Sequence, residues 1–228
     1  MHILITSAAS SKARVIADSL AHNHKTRLTD LSHNADGKMI ACDLDDGSLT
    51  DDLVSGVDAI INVGFEGQTG TDTHLMDYHT RCAYNLLYAA AGARVSRFIN
   101  ISTLRLYENH EENLVVTERW RTDPSAENVA ILGAHMTEAV CKEFARDRLI
   151  DVVNLRFGWP FVETVLPSSS HTAVNTHDLI AATVAESLLS EQLGPWQDVH
   201  VQSPVKHQRF ITNTAAKLLP NLSDRLAQ

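Results

Sequence analysis

An α/β fold built on a doubly wound parallel sheet is predicted by three observations. Short apolar runs alternate with longer segments of helical period along most of the chain, the order produced by successive βαβ steps with helices on both faces of a sheet. From Thr71 to Ala93 the pattern Leu75, Tyr78, Cys82, Leu86, Ala89 describes a long helix, ended by Gly92 and followed at once by the strand RFINIS, Arg97 to Ser102. The 228 residues are 44% hydrophobic and 21% charged, enough for one globular domain with a sizeable core and against disorder.

The elements follow in order. His2 to Thr6 reads as the first strand, and Ser11 to Ala21 as a helix whose Val15, Ile16 and Leu20 face the sheet. Thr26 to Asp30, Lys38 to Asp43 and Val57 to Val63 read as three further strands, with a helix at Ser48 to Ser55. After Arg97 to Ser102 the composition from Leu104 to Asn128 turns charged and irregular. A helix from Val129 to Arg146 then leads to the strand Asp151 to Arg156. That irregular loop leaves the carboxyl edge of the sheet, where a doubly wound fold forms its binding crevice. Gly158 to Asn175, with Pro160, Pro167 and Ser168 to Ser170, reads as a mobile loop. A helix at Asp178 to Leu189, a short strand at Val199 to Gln202 and a helix at Thr212 to Leu219 complete the chain. The core is expected over 1–157, with 158–228 as a reduced segment that completes the sheet, so that the chain is effectively one domain.

A net charge of −9 without runs of Lys or Arg argues against nucleic acid and leaves a small molecule or nucleotide as the expected ligand. Cys42, Cys82 and Cys141 match no disulfide or zinc spacing and read as buried thiols in the cytoplasm. No segment approaches the roughly 20 apolar residues that span a bilayer, and MHILIT is too short for a signal-peptide core, so neither membrane nor export is expected.

The element order, together with CDLDD (Cys42 to Asp46), RFINISTLRLYE (Arg97 to Glu108) and VVNLRFGWPF (Val152 to Phe161), resembles the extended short-chain dehydrogenase/reductase family, NAD-dependent epimerase/dehydratase branch, over nearly the whole chain. The resemblance implies a Rossmann-like fold, an NAD or NADP cofactor and, commonly, a nucleotide-sugar substrate. Its cofactor turn, T-G-x-x-G-x-x-G, falls on Thr6 onward, where Ser7, Ser10 and Ala13 stand at the glycine positions. Those glycines permit the turn, admit the pyrophosphate to the backbone and pack helix on strand. Ser7, Ser10 and Ser11 with Lys12 are therefore candidates to hold a different anion; alternatively they make a turn and cap a helix, which needs only one hydroxyl. Asp30, 20 residues after Ser10, matches the acid that holds the adenosine ribose, and Asp43 with Leu44 matches the adenine contact. Weak or absent NAD(P) binding is expected from the altered turn.

The resemblance also places the catalytic positions. Pro124 to Val140 aligns with P-x-S-x-Y-G-x-S-K-x-x-x-E, Gly133 fixing the register, so that Leu132 stands for the tyrosine and Met136 for the lysine. The tyrosine shuttles a proton and the lysine lowers its pKa; Leu and Met do neither and are expected to pack as an apolar helix face. Thr103 matches the family's Ser/Thr and is the one catalytic-position hydroxyl retained. His135 is rotated about 100° from Met136, Tyr107 matches a structural tyrosine, and Tyr84 and Tyr88 read as packing groups. The twelve histidines have no ligand spacing with carboxylates, so no metal site is expected and surface positions are. The carboxyl-terminal third is shorter than a full substrate lobe, and Arg209 falls where a late arginine often meets substrate phosphate.

The leading expectation is a family-like protein without redox catalysis, in a binding, regulatory or structural role. One alternative is an active NAD(P)-dependent epimerase, dehydratase or reductase with an unconventional proton donor. Another is a non-redox isomerase or lyase using Thr103, Glu108 or His135. A homodimer is expected through the helices at Thr71 to Ala93 and Val129 to Arg146, with Ala83, Leu87, Ala90 and Ala134 as contacts.

Overall fold

The structure, a computed structural model, describes residues 1–165 and 172–226; Pro167, Ser168 to Ser170 and His171 of the expected loop lie outside them. Seven parallel strands form one sheet. They are β1 (His2–Ile5), β2 (Lys25–Asp30), β3 (Ile40–Ala41), β4 (Ala59–Val63), β5 (Arg97–Thr103), β6 (Asp151–Phe157) and, at the far edge, a strand at Trp196–Val201. Their order, β3-β2-β1-β4-β5-β6 and then the edge strand, is Rossmann-like, with the topological switch between β1 and β4.

Alternate strand residues enter opposite cores. Ile3 and Ile5 of β1 join the buried stripe Ala13, Ile16, Ala17 and Leu20 of α1 (Ser11–Leu20), while Leu4 joins the opposite layer with Leu53 of α2 (Ser48–Val54). Ser10 caps α1 by accepting the Ala13 N–H at 3.3 Å. The expected long helix is divided: α3 (Asp72–Asp77) and α4 (Ala83–Gly92) flank a π-turn at Tyr78–Cys82. A π-turn widens one helical repeat, and here successive residues Tyr78 and His79 are both buried. Helix α5 (Val129–Arg146) starts on Asn128, whose side chain accepts the Ile131 N–H at 3.2 Å.

Within the apolar strands one polar layer crosses the sheet. Thr6 Oγ1 donates to Asn62 (3.0 Å), Asn62 to Asn100 (3.0 Å), Asn100 to Asn154 (2.9 Å) and Asn154 to Asp198 (3.1 Å), each partner directly opposite the next in register from Asn62 onward.

Several elements differ from expectation. β3 keeps two residues of the expected six because Ile40 and Ala41 are exposed and pair only with β2. The late strand is longer than Val199 to Gln202, since the whole of Trp196–Val201 pairs with β6. Between them lie a small ladder of β7 (Phe161–Val162) with β8 (Asn175–Thr176), and α6 (His177–Leu189); the edge strand is β9. After β9 come α7 (Asn213–Leu218) and α8 (Ser223–Leu226). Ala83, Leu87, Ala90 and Ala134 are at most 4% exposed inside the subunit, so they are core residues and not subunit contacts. Tyr84 and Tyr88 are instead 50% and 61% exposed, stacked with ring centroids 6.1 Å apart. No helix of the described residues is long and apolar enough to cross a membrane.

Candidate functional site

At the switch point the chain leaves β1 through Ser7, whose φ of 50° keeps the tight turn without glycine. The left-handed region disfavours a Cβ, and two hydrogen bonds hold Ser7 there: its Oγ lies 2.7 Å from the Tyr78 hydroxyl and accepts the Gln68 amide at 2.9 Å. The same Gln68 Nε2 donates to Asp30 Oδ1 at 2.7 Å, and Gln68 Oε1 accepts from Asn34 at 2.7 Å. Asp30 is 3% exposed. Its Oδ1 also accepts the Leu31 N–H, and its Oδ2 accepts the Ala9 N–H, both at 2.8 Å. The side chain of Gln68 thus crosses the crevice from the end of β4 to the ends of β1 and β2.

Gly67 makes that crossing feasible. A Cβ there would lie 1.8 Å from the Val63 carbonyl oxygen and 2.8 Å from Ser7 Oγ, so only glycine allows the segment after β4 to lie against the turn after β1. Burial pushes the Tyr78 hydroxyl up to about 12, so it remains a neutral hydrogen-bonding group.

A second layer is built on Lys12. Its ammonium donates to the Phe65 carbonyl at 2.6 Å, pairs with Glu66 at 2.9 Å and lies 4.3 Å from the Phe161 ring centroid. Lys12 is 5% exposed, and burial lowers its pKa from 10.5 to about 8 against the opposing pull of Glu66. The other Glu66 oxygen accepts Trp159 Nε1 at 3.0 Å. The first turn of α1, the segment after β4 and the segment after β6 are therefore joined across the crevice.

The remaining sequence candidates are dispersed. Ser10 serves as the helix cap and Ser11 is exposed. Asp43 accepts the Ser32 N–H at 2.7 Å and its hydroxyl at 2.9 Å, while Leu44 is buried with φ 52°. Thr103 is buried and its Oγ1 accepts the Arg105 N–H at 3.2 Å. Leu132 and Met136 are only half-buried, beside the buried stripe Ile131, Ala134, Thr137 and Glu138. They form no part of the apolar face expected of them. His135 Nδ1 lies 3.1 Å from Thr122 Oγ1.

Two histidines expected at the surface are core groups. His79 is 2% exposed, with Nδ1 at 2.8 Å from Thr137 Oγ1 and its ring where a Cβ on Gly133 would fall 2.3 Å from Cδ2. His200 is fully buried, its Nε2 at 3.2 Å from the Tyr107 hydroxyl. Burial lowers His79 to about 4; burial and the Arg156 charge lower His200 to about 3. Arg156 forms a bidentate pair with Glu138 (2.9 and 2.6 Å) and donates to Tyr107 at 2.6 Å. Among the described residues no group of three metal-ligating side chains converges.

A cleft of about 300 Å³ opens beyond the carboxyl ends of β5 and β6, lined by Leu104, Arg105, Glu108, Glu112, Trp159, Thr172, Ala173, Arg209 and Phe210. Arg105 pairs with Glu108 at 3.0 Å and lies 4.9 Å from the Trp159 ring centroid. Arg209 Nη2 donates to the carbonyls of Tyr107, His110 and Glu111, while its buried Nε has no partner among the described residues. Trp159 belongs to both places, touching Glu66 in the crevice and lining the cleft.

The sequence reading passed over Glu66, Gly67, Gln68 and Tyr78. A signal was present: GFEGQTG, Gly64 to Gly70, puts three glycines directly after the strand at the switch point, where close backbone approach is expected.

A doubly wound sheet with its crevice at the β1/β4 switch defines the class as a Rossmann-type dinucleotide fold. The sequence model of the NAD dependent epimerase/dehydratase family matches residues 3–200, and the chain belongs to that family. No curated protein matches the sequence. Among solved structures, uronate dehydrogenase from Agrobacterium tumefaciens aligns with a TM-score of 0.82 at 17% identity, over 99% of this chain and 88% of that one. A glucuronic acid dehydrogenase from Chromohalobacter salexigens aligns at 0.81 and 19%, over 100% and 84%. A UDP-glucuronic acid 4-epimerase from Bacillus cereus, in complex with NAD, aligns at 0.72 and 15%, over 99% and 94%. At these identities the likeness is one of fold.

Proposed function

We propose that this family member does not carry out nicotinamide redox chemistry and serves as a binding or regulatory protein. The observation that carries the reading is the pair Leu132 and Met136 on α5, at the positions where the family resemblance implies the proton-shuttling tyrosine and its lysine. Neither side chain can hold or move a proton. Weak or absent NAD(P) binding belongs to the same reading: both oxygens of Asp30 are engaged by Gln68, Leu31 and Ala9, and an acidic side chain, Glu66, stands beside Lys12 where a pyrophosphate would need positive charge.

The ligand we assign to the cleft is a small carboxylate-bearing sugar of the hexuronate class. Arg105 and Arg209 supply the cations, the buried Nε of Arg209 lacks a partner among the described residues, and two structural neighbours are by name a glucuronic acid dehydrogenase and a uronate dehydrogenase. We further propose a cytoplasmic homodimer. Three free, buried thiols support the compartment, and the exposed Tyr84 and Tyr88 pair on α4 supports the contact.

The test is NAD and NADP reduction, followed at the nicotinamide band, with hexuronates, nucleotide sugars and small alcohols. No turnover is expected from the wild-type protein. Turnover abolished by Thr103→Ala or His135→Ala would replace this reading with an enzyme using an unconventional proton donor.

A further inference from the structure

We infer that the dinucleotide crevice is self-occupied: the Gln68 amide stands on Asp30 in place of an adenosine ribose, and the Glu66 carboxylate stands on Lys12 in place of a nucleotide phosphate. The inference rests on the reading above that the crevice does not take NAD, and it names what fills it.

Asp30 closes the end of β2 beside the switch point, and its carboxylate can accept from ribose hydroxyls. It instead accepts from Gln68, whose amide donates both its hydrogens, to Ser7 and Asp30, and accepts from Asn34. A buried carboxylate needs donors, and Gln68 supplies one without a ligand. Lys12 is a buried cation in the first turn of α1, and a buried cation needs a counter-charge. Glu66 supplies it at 2.9 Å, from the segment that Gly67 allows to reach the turn. Each group that would otherwise demand a ligand finds its partner within the chain, so the closed crevice is complete without nucleotide. The two substitutes also divide by chemistry, since Gln68 occupies the hydroxyl-recognising end and Glu66 the anion-recognising end.

That division gives the test. Thermal unfolding of wild type, Gln68→Ala and Glu66→Ala is followed with adenosine, AMP and NAD at millimolar concentration. Wild type is expected to show no shift with any of them. Gln68→Ala is expected to melt lower without ligand and to rise by about 3 °C with adenosine and AMP alike, the shift of a site filled roughly tenfold above its dissociation constant. Glu66→Ala is expected to respond to AMP and to inorganic phosphate but not to adenosine. If Gln68→Ala does not fold, Gln68→Asn, one methylene shorter and unable to span Ser7 and Asp30 together, takes its place.

A readout on the unmodified protein accompanies these. In a brief pulse of an amine-acylating reagent, Lys12, 5% exposed, is expected to react at least about tenfold more slowly than exposed Lys25 and Lys38, with or without NAD, because burial bars the reagent even though its lowered pKa leaves more free amine. Absence of any nucleotide response in both variants, or rapid acylation of Lys12, overturns self-occupancy while leaving the non-redox reading standing. A wild-type protein that NAD stabilises overturns self-occupancy and the proposal of weak cofactor binding together.

Discussion

Lys12 shows how one side chain changes what a turn can do. In the first turn of a helix the backbone already favours anions, and a lysine there invites a phosphate. Its stem instead runs inward, so that its ammonium meets the Phe65 carbonyl, Glu66 and the Phe161 ring. Burial outweighs the attraction of Glu66 and leaves the pKa at about 8, below the ordinary 10.5. Between those values the unfolded chain holds a proton that the folded chain has released, so stability rises with pH across that window. The full difference amounts to about 3 kcal/mol. Denaturant titrations from pH 7 to 11 should therefore show wild type gaining on Lys12→Met between about pH 8 and 10.5. A constant gap would mean that Lys12 is solvated. Sequence alone leaves Lys12 among the anion-binding candidates because the partner that turns it inward, Glu66, is 54 residues away.

Among the elements, the strands carry the clearest division between what a sequence discloses and what it conceals. Apolar runs and their alternation with helical segments locate most of the strands, and α5 is found residue for residue, because period and capping are local properties. The asparagines inside those runs look like blemishes one strand at a time. They become a ladder only when register aligns Asn62, Asn100, Asn154 and Asp198 across four neighbouring strands. A one-residue slip would strand every amide in the core, so the ladder fixes register as well as satisfying itself. Asn100→Ala leaves the Asn62 amide and the Asn154 carbonyl unpaired in the core and should cost on the order of 2–5 kcal/mol in equilibrium unfolding. A loss below about 1 kcal/mol would show that the ladder is dispensable. The divided helix was concealed for the same reason. The pattern Leu75, Tyr78, Cys82 runs unbroken at helical spacing, and the π-turn answers to what Tyr78 meets across the sheet: Ser7, Thr6 and the Val63 carbonyl.

At the scale of the whole molecule, the fold and family were legible because a seven-strand order and its motifs are spread over the whole length, so that local divergence does not erase them. The site was legible only as the departures that the family resemblance implies: Ser7 and Ser10 at glycine positions, Leu132 at the tyrosine and Met136 at the lysine. The contacts within the crevice were not, since they join residues from three separate segments, Lys12, Glu66 with Gln68, and Trp159 with Phe161. Sharing of Trp159 between crevice and cleft joins the two regions physically.

On the function proposed here, a dinucleotide fold has been kept while the dinucleotide has not. Titration calorimetry of the wild-type protein with NAD and NADP, begun on protein shown by its absorbance to be free of bound nucleotide, tests it most directly. The expected result is heats too small to define a site, or a dissociation constant far weaker than micromolar. A dissociation constant in the low micromolar range or tighter, with one nucleotide per chain, would contradict it.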